Sequence, residues 1–224
     1  MIDRGDLMAA LSALAERRPV FHSEADFQHE LAWTIRERHP RIEVRLERPV
    51  SLRDERGHVD VWVLDGSYAA PIELKYWTQA ASTPLVVHGE RYHLTDQGAQ
   101  PLRRYDLWKD ISRMELLISQ GPATNGYAVA LTNVRTYWTE GRTDVIDAAF
   151  RTHPGREVHG ELAWQKEPAD GTIAGRRSPI GLAGRYVAQW ERYSMAAEGP
   201  GGEFRYLLLD VREGLTAATG RASP

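Results

Sequence analysis

Apolar residues recur at helical spacing in three stretches of the chain, at residues 3–18, 23–38 and 101–119. Positions three and four apart share one face of a helix, so each stretch predicts an amphipathic helix with a buried stripe. Ser23 is a typical N-cap for the second helix, and Glu24 and Asp26 lie in its first turn, where the helix dipole favours acidic side chains. The residues expected to face the core are Leu7, Met8, Leu11, Leu14 and Ala15 in the first helix, and Phe27, Leu31, Thr34 and Ile35 in the second.

Between the second and third helices the apolar period changes to two, which predicts β-strands. Apolar and polar residues alternate over 41–46 and 58–63, and Val59, Val61 and Val63 are expected on the same, buried face. Residues 53–57 are expected to form a turn between these two strands, and Asp65-Gly66 a second turn. A third strand is predicted at 71–77 (PIELKYW), and a fourth, buried strand at 127–132 (YAVALT).

The remaining stretches have weaker patterns. Residues 78–100 are expected to form a long loop containing an irregular hairpin, and the chain beyond residue 137 predicts a short helix at 144–150 and strands at 185–194 and 204–211. The element order is helix, three-strand meander, helix and strand. It predicts an α/β fold of the layered α+β kind, with a central mixed β-sheet flanked by helices.

The composition narrows the possible chemistry. The chain has no cysteine, which excludes disulfides, thiolate metal sites and cysteine nucleophiles. It shows no signal-peptide pattern and no apolar stretch of bilayer length, so we expect a soluble, cytoplasmic protein without a membrane partner. The formal net charge is −3, so a nucleic acid would have to meet a local basic patch. Only three of the 28 basic residues are lysines, namely Lys75, Lys109 and Lys166.

One of these rare lysines belongs to a group of charged residues in the predicted strands. Glu73 and Lys75 lie two residues apart in an otherwise apolar strand, so their side chains are expected to share one face. Charges in such a strand are costly unless they are paired or bind a metal. Asp60 lies on the preceding strand, and antiparallel pairing about Asp65-Gly66 would bring it alongside. Two carboxylates and an ammonium group suit a Mg²⁺ site that hydrolyses a phosphate ester.

The element order and these residues together resemble the PD-(D/E)XK superfamily of nucleases, which includes restriction endonucleases, Holliday-junction resolvases and repair nucleases. The resemblance covers about residues 23–135: a helix opening with Ser23-Glu24, a meander containing GHVDVWV and PIELKYW, then a helix and a strand. The resemblance implies a restriction endonuclease-like core (23–136), and the sequence patterns on either side predict an N-terminal helix (1–22), a C-terminal β-containing extension of the same domain (137–212) and a flexible tail (213–224). One residue departs from the family pattern, since Val59 stands where the proline that names the motif would be.

The resemblance also implies a function for each residue of the central group. Asp60 and Glu73 would bind Mg²⁺, or Mn²⁺ as a substitute, and the Leu74 carbonyl would add a ligand. Lys75 would orient or deprotonate the attacking water. The expected activity is metal-dependent hydrolysis of phosphodiester bonds, with DNA favoured over RNA, in defence, repair or mobile-element biology.

Many members of the superfamily add a glutamate from the first core helix. Glu24 matches this position, and Glu30 is the alternative. Gln28 is an accessory candidate because it lies one helical turn after Glu24, and His58 because it is expected to share the face of Asp60. A homodimer is compatible with cutting both strands of a duplex, by analogy with the family.

Two other interpretations stay open. Asp60, Glu73 and Lys75 would form only a structural ion pair on a half-exposed sheet, or the fold would be nuclease-like but inactive and bind a nucleic acid or a protein. The predicted loop holds three further residues that resemble metal ligands, but their spacing fits no established ligand pattern and favours exposed loop side chains. These residues are His88, Glu90 and His93.

The third predicted helix carries basic residues that could approach phosphates. Arg104, Lys109 and Arg113 are separated by Asp106 and Asp110. Alternating charges of this kind are typical of an exposed helix face with salt bridges, which is the interpretation that the sequence favours.

Overall fold

The protein is represented by a computed structural model that describes residues 1–52, 55–165, 173 and 175–212. The predicted tail at 213–224 and residues 53–54 of the predicted turn lie outside the described residues. The helices are α1 (Arg4–Arg17), α2 (Glu24–Arg38) and α3 (Gln100–Ser119). The strands are β1 (Glu43–Leu52), β2 (Glu55–Asp65), β3 (Tyr68–Trp77), β4 (Leu85–Val87), β5 (Glu90–Tyr92), β6 (Gly126–Thr132), β7 (Glu157–Leu162), β8 (Ile180–Val187), β9 (Trp190–Met195) and β10 (Glu203–Val211).

The helices begin and end close to the predicted residues. Ser23 caps α2, and its hydroxyl oxygen accepts a hydrogen bond from the Asp26 amide at 3.1 Å. Asp3 caps α1 in a reciprocal arrangement with Asp6, a cap that the sequence pattern did not identify. In the part of the chain that the structure describes, none of the helices has the length and hydropathy needed to cross a bilayer.

A six-stranded mixed sheet forms the centre of the fold, in the order β1-β2-β3-β6-β10-β9. Its neighbouring strands are antiparallel except for β3 and β6, which run parallel. Helix α3 and the preceding loop provide the crossover that a parallel pair requires. The predicted mixed α/β architecture, with a central sheet between helices, is therefore confirmed.

Each face of this sheet buries its own hydrophobic core. Helices α1 and α2 cover one face, where Ile72, Leu74 and Tyr76 of β3 pack against them. Helix α3 and the β7–β8 hairpin cover the other face, which receives Trp77 from the same strand. Because side chains alternate along a strand, Glu73 and Lys75 point to the α3 side.

Strand β2 departs from the predicted alternation. Val61 and Val63 pack on the side of α1 and α2, whereas Val59 packs on the α3 side, so the expected common face of the three valines is wrong. The pairing of β2 with β1 passes over Glu47, which has a φ of 50°. Leu46 pairs with Val61 and Arg48 with Val59, so the register is the same on both sides of this left-handed residue, and the change of face occurs beside it without an inserted residue.

Other differences lie in loops and in the C-terminal part. Residues 55–57, expected in a turn, belong to β2, and the predicted irregular hairpin is formed by β4 and β5. The strand predicted at 185–194 is interrupted at 188–189 and contributes to two different sheets, while only 148–150 of the predicted short helix are helical, as a 3₁₀ turn. Strand β7 was not predicted, because Gly160 and polar residues interrupt its apolar alternation.

Strands β2 and β3 separate partway along their length. Their pairing extends only from Asp65–Tyr68 to Val61–Ile72. Beyond that point β2 continues beside β1, and β3 continues beside β6 as far as Trp77. We refer to the region where the two strands diverge, at Asp60 and Glu73, as the fork.

The expectation of an exposed, salt-bridged face on α3 is wrong for Arg104. This side chain is 1% exposed and lies on the core side of the helix. Its Nη1 donates to Asp147 Oδ2 at 2.9 Å, and its Nη2 donates to the Thr136 carbonyl at 2.9 Å. The guanidinium also lies over the ring of Tyr137. Arg104 therefore connects the third helix to the C-terminal part of the chain.

Replacing Arg104 with alanine is expected to lower the free energy of unfolding by about 3 kcal/mol, because it leaves the buried Asp147 carboxylate without one of its partners. Urea denaturation measures this change. Arg142→Ala removes an exposed pair with Asp144 and serves as the control, with no measurable change expected. Equal losses in the two variants would contradict a structural role for the buried pair.

Candidate active site

Glu73 occupies the centre of the candidate site. It is 3% exposed, and its carboxylate accepts a hydrogen bond from Arg113 of α3. The Lys75 ammonium lies 4.0 Å from the second carboxylate oxygen. The shared strand face predicted for Glu73 and Lys75 is therefore present, and an arginine from the facing helix joins them.

Asp60 joins this group at the fork. Its Oδ2 accepts a hydrogen bond from the Leu74 amide at 2.6 Å, beyond the last paired residues of β2 and β3. The Asp60 carboxylate thus accepts the hydrogen bond that a backbone carbonyl of β2 would accept if the pairing of β2 and β3 continued. The predicted ligand role of the Leu74 carbonyl stays a prediction.

Helix α2 contributes two predicted residues from the other side of the sheet. The Glu24 carboxylate accepts a hydrogen bond from the Tyr76 amide at 2.7 Å. The buried Gln28 amide donates to the Asp60 carbonyl at 2.7 Å and to Glu47 at 2.6 Å. Both residues therefore contact the backbone of the strands that carry the site, and they reach it through the fork.

The remaining candidates lie differently. The His58 side chain is exposed, and the His58 backbone carbonyl accepts a hydrogen bond from Arg113 at 3.1 Å. Glu30 pairs with Arg18 at 3.2 Å, away from the fork. Glu90 pairs with His22 of the α1–α2 connection at 2.9 Å. His88 and His93 are exposed, as the sequence favoured.

Helix α3 supplies two residues that the sequence did not assign to the site. The Lys75 ammonium lies 2.8 Å from Asp110 Oδ2, and Arg113 lies 3.4 Å from Asp110 Oδ1. A charged pair one turn apart on a helix is common at protein surfaces. One signal in the sequence could have indicated these two residues. Charged side chains on a buried strand need partners of opposite charge, and the sheet was expected to be flanked by helices.

Burial and mutual repulsion set the charges of the three carboxylates. Burial is the largest cause that raises the pKa of Glu24 and of Asp60, and Lys75 opposes it in both. Burial, followed by the charge of Asp110, raises the pKa of Glu73 to about 8, although Arg113 and Lys75 oppose the rise. A divalent cation between these groups would relieve the repulsion that their ionised forms experience.

Lys75 has the opposite balance. Burial alone would lower its pKa, but the carboxylates of Asp110, Glu73 and Asp60 outweigh burial and raise it. The side chain is therefore an ammonium group at neutral pH. It can orient a water molecule and offset the negative charge of a phosphate, but it is unsuited to removing a proton.

The donors at the fork fit Mg²⁺ only in part. Mg²⁺ sites commonly use one or two carboxylates together with water and substrate phosphate, a set that Asp60 and Glu73 can supply. Across the described residues, however, no group of three or more His, Cys, Asp or Glu side chains is arranged to hold a metal ion. Metal binding at Glu73 would also have to compete with Arg113.

An open pocket of about 320 Å³ lies beside these residues. We refer to it as the α3 pocket. Its walls come from the end of β3, the start of α2 and the first half of α3. Seven of the described residues line it: Glu24, Lys75, Trp77, Arg103, Asp106, Lys109 and Asp110. Two of the three lysines of the chain are among them.

No family model matches the chain, and neither the curated proteins nor the solved structures contain a match. Any assignment of function to this site therefore depends on its own geometry and on the resemblance of its motif.

The buried Glu73 should make stability depend on pH. Its raised pKa means that the folded state holds this proton more tightly than the unfolded state does. We expect the parent protein to lose stability relative to Glu73→Gln as the pH rises. The difference between their free energies of unfolding, parent minus variant, should fall by roughly 3 kcal/mol between about pH 5 and pH 8. Denaturant titrations at several pH values measure this difference. A difference that is constant or rises with pH would contradict the arrangement described for Glu73.

Proposed function

We propose that this protein is a metal-dependent nuclease of the PD-(D/E)XK type, which hydrolyses phosphodiester bonds, with DNA as the favoured substrate. The observation that carries the proposal is the convergence of Asp60, Glu73 and Lys75 at the fork, with Glu24 beside them. These residues come from two strands and one helix.

The topology around the fork supports the proposal. Apart from the β4–β5 hairpin inserted before α3, the chain from α2 to β6 has the order that the superfamily core would require, namely a helix, a three-strand meander, a helix and a strand. The last strand is parallel to β3, which places α3 over the face that carries Glu73 and Lys75. The restriction endonuclease-like assignment of this core remains part of the proposal.

The electrostatics of the site define the task of each residue. A water molecule would attack phosphorus and lose a proton to solvent, the bond to the leaving oxygen would break, and that oxygen would take up a proton from solvent. Lys75, held by Asp110 at 2.8 Å, would orient the water and offset charge on the phosphate. Asp60 and Glu73 would hold Mg²⁺, which when bound polarises the phosphate and lowers the pKa of water.

One observation favours the competing function, a nuclease-like domain that binds nucleic acid or a protein without cleaving. Each of the three carboxylates already has a protein partner: Glu73 contacts Arg113, Asp60 the Leu74 amide, and Glu24 the Tyr76 amide. In a catalytic site at least Glu73 would have to exchange its partner for the metal.

Cleavage assays separate the two functions. With Mg²⁺, the parent protein is expected to cut DNA, and Glu73→Gln and Lys75→Met are each expected to lose at least about 100-fold in rate. Glu37→Gln is the matched control, because Glu37 is exposed on α2 and pairs with Arg17, and its rate should not change.

Retention of full activity in both site variants would refute the proposed catalytic residues. A parent protein that binds DNA or RNA but cleaves neither with Mg²⁺ or Mn²⁺ would instead establish the non-catalytic function. Isothermal titration with Mn²⁺ gives a second readout, since Asp60→Asn should weaken metal binding about 10-fold or more while Glu37→Gln does not.

A further inference from the structure

The α3 pocket contains charged residues that the proposed reaction does not use. Arg103 and Lys109 lie on α3 at the pocket wall, next to Lys75 of the candidate site. We propose that this pocket binds the sugar-phosphate backbone of nucleic acid beside the bond that is cut, through Arg103 and Lys109. This inference rests on the proposed nuclease function and names the part of the substrate that the pocket contacts.

Arg103 lies at the wall of the pocket, and its charge opposes the burial that raises the pKa of Glu24. Its Nε donates to the Gly98 carbonyl at 3.0 Å, which fixes the side chain against the start of α3. Within the described part of the chain, its guanidinium forms no ion pair with a carboxylate. A guanidinium with two unused nitrogens matches the paired oxygens of a phosphate.

Of the described acidic residues that line the pocket, Asp106 and Asp110 are paired with cations. Asp106 receives two hydrogen bonds from Arg176, at 2.6 Å and 2.8 Å, from outside the pocket wall. Asp110 is paired with Lys75 at 2.8 Å and lies 3.4 Å from Arg113. These partners reduce the repulsion that the two aspartates would otherwise exert on a phosphate at the pocket wall, where Arg103 and Lys109 also lie.

Phosphate, rather than a base, is the part of the substrate that fits. Among the residues that the structure describes, Trp77 is the single aromatic one that lines the pocket, and it is 2% exposed and stacks on Tyr137 with ring centroids 4.3 Å apart. It therefore offers no open ring face on which a base could stack. Contacts to the backbone alone position a nucleic acid but carry no sequence information.

The placement also fits the charge of the whole chain. The formal net charge is −3, so long-range attraction does not bring a polyanion to this surface. Two of only three lysines lie at this one pocket, together with Arg103. A local cation group beside Glu24 and Lys75 would provide the attraction that the overall charge does not.

The test measures binding without cleavage, in EDTA. Fluorescence anisotropy of a labelled DNA duplex of about 20 base pairs is recorded over a range of salt concentrations, because the slope of log K against log salt counts the phosphates that the protein neutralises. Arg103→Gln and Lys109→Gln are each expected to reduce the magnitude of that slope by about 1. The loss should be the same for two unrelated duplex sequences.

Two further variants make the result specific. Arg36→Gln removes the same charge from an exposed position near the end of α2 and should leave the slope unchanged. Arg103→Lys keeps the charge and should retain most of the slope. If the guanidinium had only a structural role, both Arg103 variants would reduce the slope to the same extent. Circular dichroism melts confirm that each variant is folded.

Each outcome supports or overturns the inference. The inference is overturned if Arg103→Gln and Lys109→Gln have the same slope as the parent protein. It is also overturned if the parent protein does not bind DNA. Cleavage by the parent with unchanged slopes would leave the nuclease function standing without this pocket. Reduced slopes without cleavage would leave the pocket standing and reject catalysis, so the two proposals can fail separately.

Discussion

The buried carboxyl group of Glu73 is the constraint that organises the centre of this protein. In the middle of a sheet it loses most of its hydration, which raises its pKa, and its ionised form is stable only with partners of opposite charge. Arg113 and Lys75 provide them, and Asp110 in turn balances both cations. Helix α3 must therefore lie over β3 with one particular face inward, because a rotation about its axis would leave Glu73 without Arg113.

The fork follows from the same region. Where β2 and β3 separate, the unpaired Leu74 amide is satisfied by the Asp60 carboxylate, and the unpaired Asp60 carbonyl by Gln28. The Tyr76 amide is satisfied by Glu24. Along one side of β3, polar side chains thus make the hydrogen bonds that a paired strand would otherwise make. They are needed because buried backbone N–H and C=O groups must have hydrogen-bond partners. The residues proposed for catalysis also hold the sheet together, so substitutions there affect stability as well as any activity.

Periodicity and capping predicted much of the fold. Ser23 with its acidic first turn located α2, and the alternation around Val61 and Val63 located β2. Periodicity failed where tertiary contacts reorient the chain, as at Val59, and where the apolar signal is interrupted, as in β7. The single-residue reversal near Glu47 depends on backbone geometry that no apolar pattern encodes.

The strand residues of the candidate site could be predicted because i and i+2 share a face, which links Glu73 to Lys75. Asp60 followed from the short turn between two strands. Asp110 and Arg113 could not, because the rotation of α3 about its axis is set by packing against the sheet. Arg104 was misplaced for the same reason, since a buried arginine with a buried partner looks identical in sequence to an exposed one.

The parallel pairing of β3 and β6 has a consequence for how the site is assembled. Residues 78–125 separate the two strands in sequence. The strands can pair only after this segment has returned across the sheet. Closing such a long segment costs entropy that is recovered only when the non-local contacts form. Antiparallel hairpins of β1, β2 and β3 can form earlier, with Glu73 still solvated. During synthesis, the cluster around Glu73 therefore cannot be complete before α3 and β6 have left the ribosome.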